Sequence, residues 1–215
     1  MFPLHDANPR HRPSFVMWLL VAANVAIFLY MVSLGSERAI MGVISDYAFI
    51  PNLFFASPVG ESYRLVSSVF LHGGLMHVLG NMWFLWVFGD NIEDRMGHGT
   101  FLIFYLVAGV LATLTHALVE PGSSVPLVGA SGAVSAVLGA YVVLFPRQRI
   151  LTFIPPFFLF WLPAWLYLGY WGLIQFLQAA SGVLVGEAAL GGVAWWAHIG
   201  GFVFGMLSVR FLARR

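Results

Sequence analysis

Hydrophobic and polar positions along this chain segregate into whole segments. Six apolar runs reach or approach the roughly 20 residues that a bilayer-crossing helix needs. They cover residues 15–34, 67–88, 101–119, 131–145, 163–179 and 193–212. The second is interrupted by His72, His77 and Asn81, and the fourth is short. Residues 150–161 are apolar too, but Pro155 and Pro156 break any helix there. That stretch is expected to be an interfacial segment leading into the fifth span, not a seventh span. The pattern predicts an all-α membrane protein, a polytopic six-helix transmembrane bundle. It forms one domain over residues 1–215, with residues 1–14 as a short cytoplasmic tail.

Charge fixes an orientation for these spans. Lys is absent, so all 10 cationic residues are Arg. With both termini in the cytoplasm, Arg10, Arg12, Arg95, Arg147, Arg149, Arg210, Arg214 and Arg215 fall inside. Only Arg38 and Arg64 fall outside, which satisfies the excess of positive charge on cytoplasmic loops. Residues 35–66 then form a long outer loop between spans one and two. Its Pro51, Pro58 and Gly60 predict an irregular, compact structure on the membrane. The first run is too long for a signal-peptide core and lacks an A-x-A cleavage site, so it is read as a retained span.

Composition narrows the function. Hydrophobic residues make up 60% of the chain and charged residues 9%, against roughly 25% charged in a soluble domain. A soluble fold is excluded. Net charge +1 leaves no basic footprint for nucleic acid. Without cysteine there is no thiolate nucleophile, disulfide or Cys-based zinc site. The 9 acidic residues fall in loops or at span ends. The paired carboxylates of an aspartyl intramembrane protease and the buried acid usual in a proton-driven transporter are therefore missing. So is the H-E-x-x-H string of a zinc protease.

What remains at membrane depth is His, Asn and Ser, and such residues are functional candidates by default. Measured at 1.5 Å per residue, Ser131 lies roughly 24 Å above Arg147, His77 roughly 20 Å above Asp90 and His198 roughly 18 Å above Arg210. Three helices thus carry polar side chains at one level. His77 and Asn81, four residues apart, share a helix face. Ala194, His198, Gly201 and Gly205 form a small-residue stripe on span six, and Ser131, Gly132, Ser135 and Gly139 form one on span four. Such stripes let membrane helices approach closely, which would bring Ser131 and His198 together. His116 is expected to be a wetted interfacial residue. His72 is out of phase with His77. A metal at His72, His77 and His198 is disfavoured because no acid backs them.

Three strings make the chain resemble the rhomboid family of intramembrane serine proteases. His77-Val-Leu-Gly-Asn81 resembles the family's H-x-x-x-N, Gly129-Ala-Ser131-Gly132 its G-x-S-G, and Ala197-His198-Ile-Gly-Gly201-Phe-Val-Phe-Gly205 its A-H-x-x-G-x-x-x-G. They occur in order on spans two, four and six. Tyr63-Arg64 is similar to the family's outer-loop W-R pair, with Tyr for Trp, and 162–166 also resembles family members. The resemblance covers about residues 63–210 and implies the basic six-span form. It implies a Ser131–His198 dyad, with Ser131 as nucleophile and His198 as general base. The Ser131 backbone N–H, His77 and Asn81 would serve the oxyanion, and Gly129 and Gly132 give room for the turn. No acid at depth completes a triad, so packing is expected to orient the imidazole. Many members carry an aromatic residue four positions after the nucleophile that stacks on the histidine; Ser135 stands there instead.

The expectations follow. The chain is a serine endopeptidase, needs no cofactor or metal, and cuts single-span or polytopic membrane proteins in or near their transmembrane helices. Span four is too short to cross the bilayer core, so Ser131 is expected in a recess opening outward, covered by a glycine-rich lid at 178–192. The location expected is the inner membrane of a prokaryotic cell, with the active site on the extracytoplasmic side. The alternative is a weak or inactive relative that binds transmembrane helices.

Overall fold

The computed structural model describes residues 1–185 and 193–213. Six long helices dominate it: α1 (Phe15–Ser33), α6 (Leu75–Met96), α7 (His98–Val119), α8 (Ser131–Leu144), α9 (Ala164–Val185) and α10 (Trp195–Leu212). Their positions match the six apolar runs. Helices α1 and α7 are each long and apolar enough to cross a membrane. The segment Pro58–Phe70 joins α6 at an 80° bend and makes a third candidate when the two are taken together. The break falls at Gly73–Gly74, ahead of α6, so the second run is not one continuous helix. Outward-facing Phe15, Leu19, Leu29, Ile103 and Leu207 stay more than half exposed, as lipid-facing side chains would. The molecule is a multi-pass integral membrane protein.

Two expectations are corrected. The fold is not all-α. Strands β1 (Phe2–Asp6), β2 (Arg149–Ile154) and β3 (Phe158–Pro163) form an antiparallel sheet in the order β1-β2-β3. The interfacial segment is thus a hairpin turning at Pro155–Pro156, and the expected tail supplies its third strand. β-branched and aromatic residues such as Ile150, Thr152, Phe153, Phe160 and Trp161 suit a strand, and proline leaves the ladder intact when it sits in the turn. Nor is the loop after α1 irregular. It folds into α2 (Glu37–Tyr47), α3 (Pro51–Ala56), α4 (Pro58–Glu61) and α5 (Arg64–Ser67). Pro51 and Pro58 occupy the first turns of their helices, where the missing N–H costs nothing. Arg64 ties the loop together, donating to Ser45 O (2.6 Å) and Ala48 O (2.9 Å) and pairing with Glu61. Tyr63 Oη donates to Asp46 O at 2.8 Å.

At the sheet end, polar residues that look like ordinary span-end charges carry structure. Glu93 is buried, and its carboxylate accepts from the backbone N–H groups of Val16 (2.9 Å) and Met17 (2.7 Å). It thereby caps the first turn of α1 from another helix and places negative charge at that positive dipole end. His98 Nδ1 lies 2.5 Å from the same carboxylate. Asp6 Oδ2 accepts from Tyr141 Oη (2.5 Å) and Asn91 Nδ2 (2.9 Å), fastening β1 to the lower parts of α8 and α6.

Candidate active site

Helix α8 begins at Ser131, with Ala130 as its N-cap. The Ser131 N–H therefore has no partner within the helix and points from the positive end of the dipole. The turn before it depends on Gly129, whose φ of +124° disfavours any side chain. A Cβ there would also lie 2.6 Å from His77 Nε2 and 3.6 Å from Asn81 Nδ2. The glycine of the G-x-S-G string thus lets the turn press against both polar residues of α6.

Helices α8 and α10 meet at backbone contact. A Cβ on Gly201 would overlap the carbonyl oxygen of Gly132, and one on Gly205 would overlap that of Ala136. From the other side, a Cβ on Gly139 would overlap the carbonyl of Phe202. The expected small-residue stripes therefore form a real interface, and it sets His198 of α10 beside the start of α8. Ser131, His198, His77 and Asn81 all line one cavity of about 860 Å³. The shared level read from residue counting is thus a shared site. Ser131 Oγ and His198 are not hydrogen-bonded to each other among the described residues.

Four other residues, Gln175, Trp171, Trp195 and His72, take parts that the sequence reading did not give them. Gln175 of α9 is buried, lines the cavity and places Oε1 2.6 Å from His198 Nδ1. Trp171, one turn earlier on α9, sets its ring 6.3 Å from the imidazole at a 33° tilt, and Trp195 presents an edge at 5.7 Å. Aromatic company for His198 thus comes from α9 and the start of α10. Ser135, where many relatives carry an aromatic residue, instead donates to Ser131 O at 2.6 Å. His72 is buried, and its Nε2 accepts from Asn81 Nδ2 at 3.0 Å. Reading His72 as out of phase with His77 did not reveal this contact, because the chain bends by 80° between Phe70 and Leu75 and spacing along one helix does not say where His72 lies. His116 is not a wetted interfacial residue. It is buried and lines the cavity wall. The expected lid at 178–192 is helical up to Val185, and its residues 186–192 lie outside the described residues.

The family model for the Rhomboid domain matches residues 59–215. The chain is 31% identical over 142 residues to rhomboid protease GluP of Bacillus subtilis, covering 65% of this chain and 27% of that protein. It is 28% identical over 207 residues to the mitochondrial Rhomboid protein 1 of Saccharomyces cerevisiae, covering 94% of this chain and 54% of that one. It is 28% identical over 200 residues to the human mitochondrial presenilin-associated rhomboid-like protein, covering 89% and 47%. The chain thus spans about half, or less, of the length of these curated relatives. With the matched domain spanning the helices that carry Ser131, His198, His77 and Asn81, this chain belongs to the rhomboid family.

Proposed function

We propose that the protein is an intramembrane serine protease that hydrolyses peptide bonds in or near the transmembrane helices of other membrane proteins. The observation that carries this reading is the convergence of Ser131, His198, His77 and Asn81 on one cavity from three helices. Substrate binding closes the dyad, since catalytic hydrogen bonds commonly tighten only in the complex. His198 Nε2 takes the Ser131 proton as Oγ bonds to the scissile carbonyl carbon. The negative charge on the carbonyl oxygen meets the Ser131 N–H, His77 and Asn81; such donors are worth roughly 3–4 kcal/mol each. The C–N bond then breaks, the imidazolium protonates the leaving amine, and water hydrolyses the acyl-enzyme by the same steps in reverse order.

In this reading the six long helices are all spans, both termini face the cytoplasm, and the cavity opens to the opposite side. The location in this reading is the inner membrane of a prokaryotic cell, for which the bacterial relative is the support. The cavity is mostly apolar-lined, with Leu75, Met76 and Phe84 of α6 on its wall. It suits a substrate helix unwound near the outer interface, with a small residue at the cut. The test is purified protein in detergent with a generic single-span substrate. Wild type yields two fragments and Ser131→Ala yields none; cleavage undiminished in Ser131→Ala refutes the proposal.

A further inference from the structure

The imidazole of a serine hydrolase must hold its proton on Nδ1, so that Nε2 is free to accept from the nucleophile. In a triad an acid enforces this, and among the described residues no acid is hydrogen-bonded to His198. Position 135 is too small to hold the ring by stacking. Helix α9 brings two side chains to His198 from one face: Trp171 beside the ring and Gln175 at its Nδ1. At 2.6 Å, Oε1 can only accept, so Nδ1 carries the hydrogen. Gln175 is 7% exposed, so water competes weakly for this bond.

We propose that Gln175 is the positioning residue for His198: its amide oxygen holds the imidazole in the Nδ1–H tautomer, leaving Nε2 to accept the proton of Ser131. The assignment rests on the protease reading for its effect on rate, though not for the tautomer itself. The proton on Nδ1 never transfers. Nε2 alone accepts from Oγ and later donates to the leaving amine, and the amide of Gln175 is chemically unchanged throughout. The residue sits on α9, while the nucleophile and base sit on α8 and α10. Competence of the base therefore depends on α9 being packed against the cavity.

The experiment compares wild type, Gln175→Met and Gln175→Glu for kcat and KM on a single-span substrate, with Ser131→Ala as the blank. Methionine fills the same space without an acceptor, and glutamate keeps one. Gln175→Met is expected to lose roughly 10–10² in kcat, part of the 10²–10⁴ that a positioned base supplies, with KM within about twofold. Gln175→Glu is expected to restore kcat to within about fivefold of wild type. A Met variant at full kcat, or a Glu variant as slow as Met, overturns the assignment, because either outcome is what packing alone would give. A second readout is independent of turnover. Nitrogen NMR of protein labelled at histidine, with the His198 signals identified by their loss in His198→Ala, is expected to show pyrrole-type Nδ1 and pyridine-type Nε2. The reverse pattern overturns the assignment. Inert wild type that shows the expected pattern sinks the protease reading and supports the tautomer assignment.

Discussion

Helices α10 and α9 both reach the cavity, but they are held in different ways. Helix α10 lies on α8 with backbone against backbone, through Gly201 and Gly205 on one side and Gly132 and Gly139 on the other. At Gly201, Gly205 and Gly139 the nearest atom is a backbone carbonyl oxygen, not a side chain that can move. Helix α9 meets the rest through large side chains: Tyr167 stacked near Phe88, Trp171 against Phe202 and Gln175 on His198. Rotamer changes can loosen that contact without breaking a backbone interface. The nucleophile and the base are thus placed on a pair packed backbone to backbone, and the orienting groups on an adjustable one. Fixed spacing between Ser131 and His198 can in this way coexist with a wall that accommodates an incoming helix.

The sharpest break in this comparison is Gly205→Ala. Its Cβ would overlap the carbonyl oxygen of Ala136, backbone that cannot yield without parting the helices. The expected cost is at least about 3 kcal/mol, the upper range for overpacking. It would be read as a loss of folded, monodisperse protein and of turnover.

Next in size are the oxyanion donors. His77→Ala and Asn81→Ala are each expected to lower turnover by roughly 10²–10³ with folding retained, since the Ser131 N–H and the other donor remain. Turnover at matched protein concentration checks this. A fully dead His77→Ala beside an active His198→Ala would move the base from α10 to α6.

A smaller effect concerns how the lower part of α8 is held. Burial, helped by the nearby charge of Asp90, raises the Asp6 carboxyl to about 6, against the opposing hydrogen bond from Tyr141 and the charge of His5. The folded state therefore binds the proton more tightly than the unfolded chain does. Its stability contribution is complete below about pH 4 and is lost as pH rises to about 6, by up to about 3 kcal/mol. Thermal melts across that window should show the decline. Asp6→Asn should flatten it, and an unchanged slope would contradict the role given to Asp6.

The smallest effect is expected at α9. Gly172→Ala would bring a Cβ to 3.6 Å from the Phe202 ring, an ordinary contact. Stability within about 0.5 kcal/mol of wild type is expected, as for substitutions that disturb no packed feature. A loss as large as that of Gly205→Ala would erase the contrast between the two interfaces.

The same contrast explains what the sequence revealed. His77 and His198 were readable because α6 and α10 run unbroken to Asp90 and Arg210, and Ser131 because Arg147 lies three residues past the end of α8, so residue counting measures depth. The glycine stripes were readable because close approach tolerates almost nothing else. Gln175 was passed over because its partner lies 23 residues away on a different helix. Its only local signal is a lone amide inside the apolar run Leu173-Ile174-Gln175-Phe176-Leu177, one turn after Trp171. The sheet was hidden for a related reason: β1 pairs with a hairpin about 150 residues away, and Asp6 meets Tyr141 across 135 positions. Periodicity within a segment carries no information about such pairings.

The most direct test of the account is covalent labelling by a fluorophosphonate probe, with the modified residue mapped by mass spectrometry. Attack on phosphorus needs the same nucleophile and the same base as attack on a carbonyl carbon. The adduct is predicted on Ser131 in wild type, and neither Ser131→Ala nor His198→Ala should be labelled, while His77→Ala should still be labelled more slowly. Labelling of Ser131→Ala at the wild-type rate, or an adduct on any other serine, would contradict it.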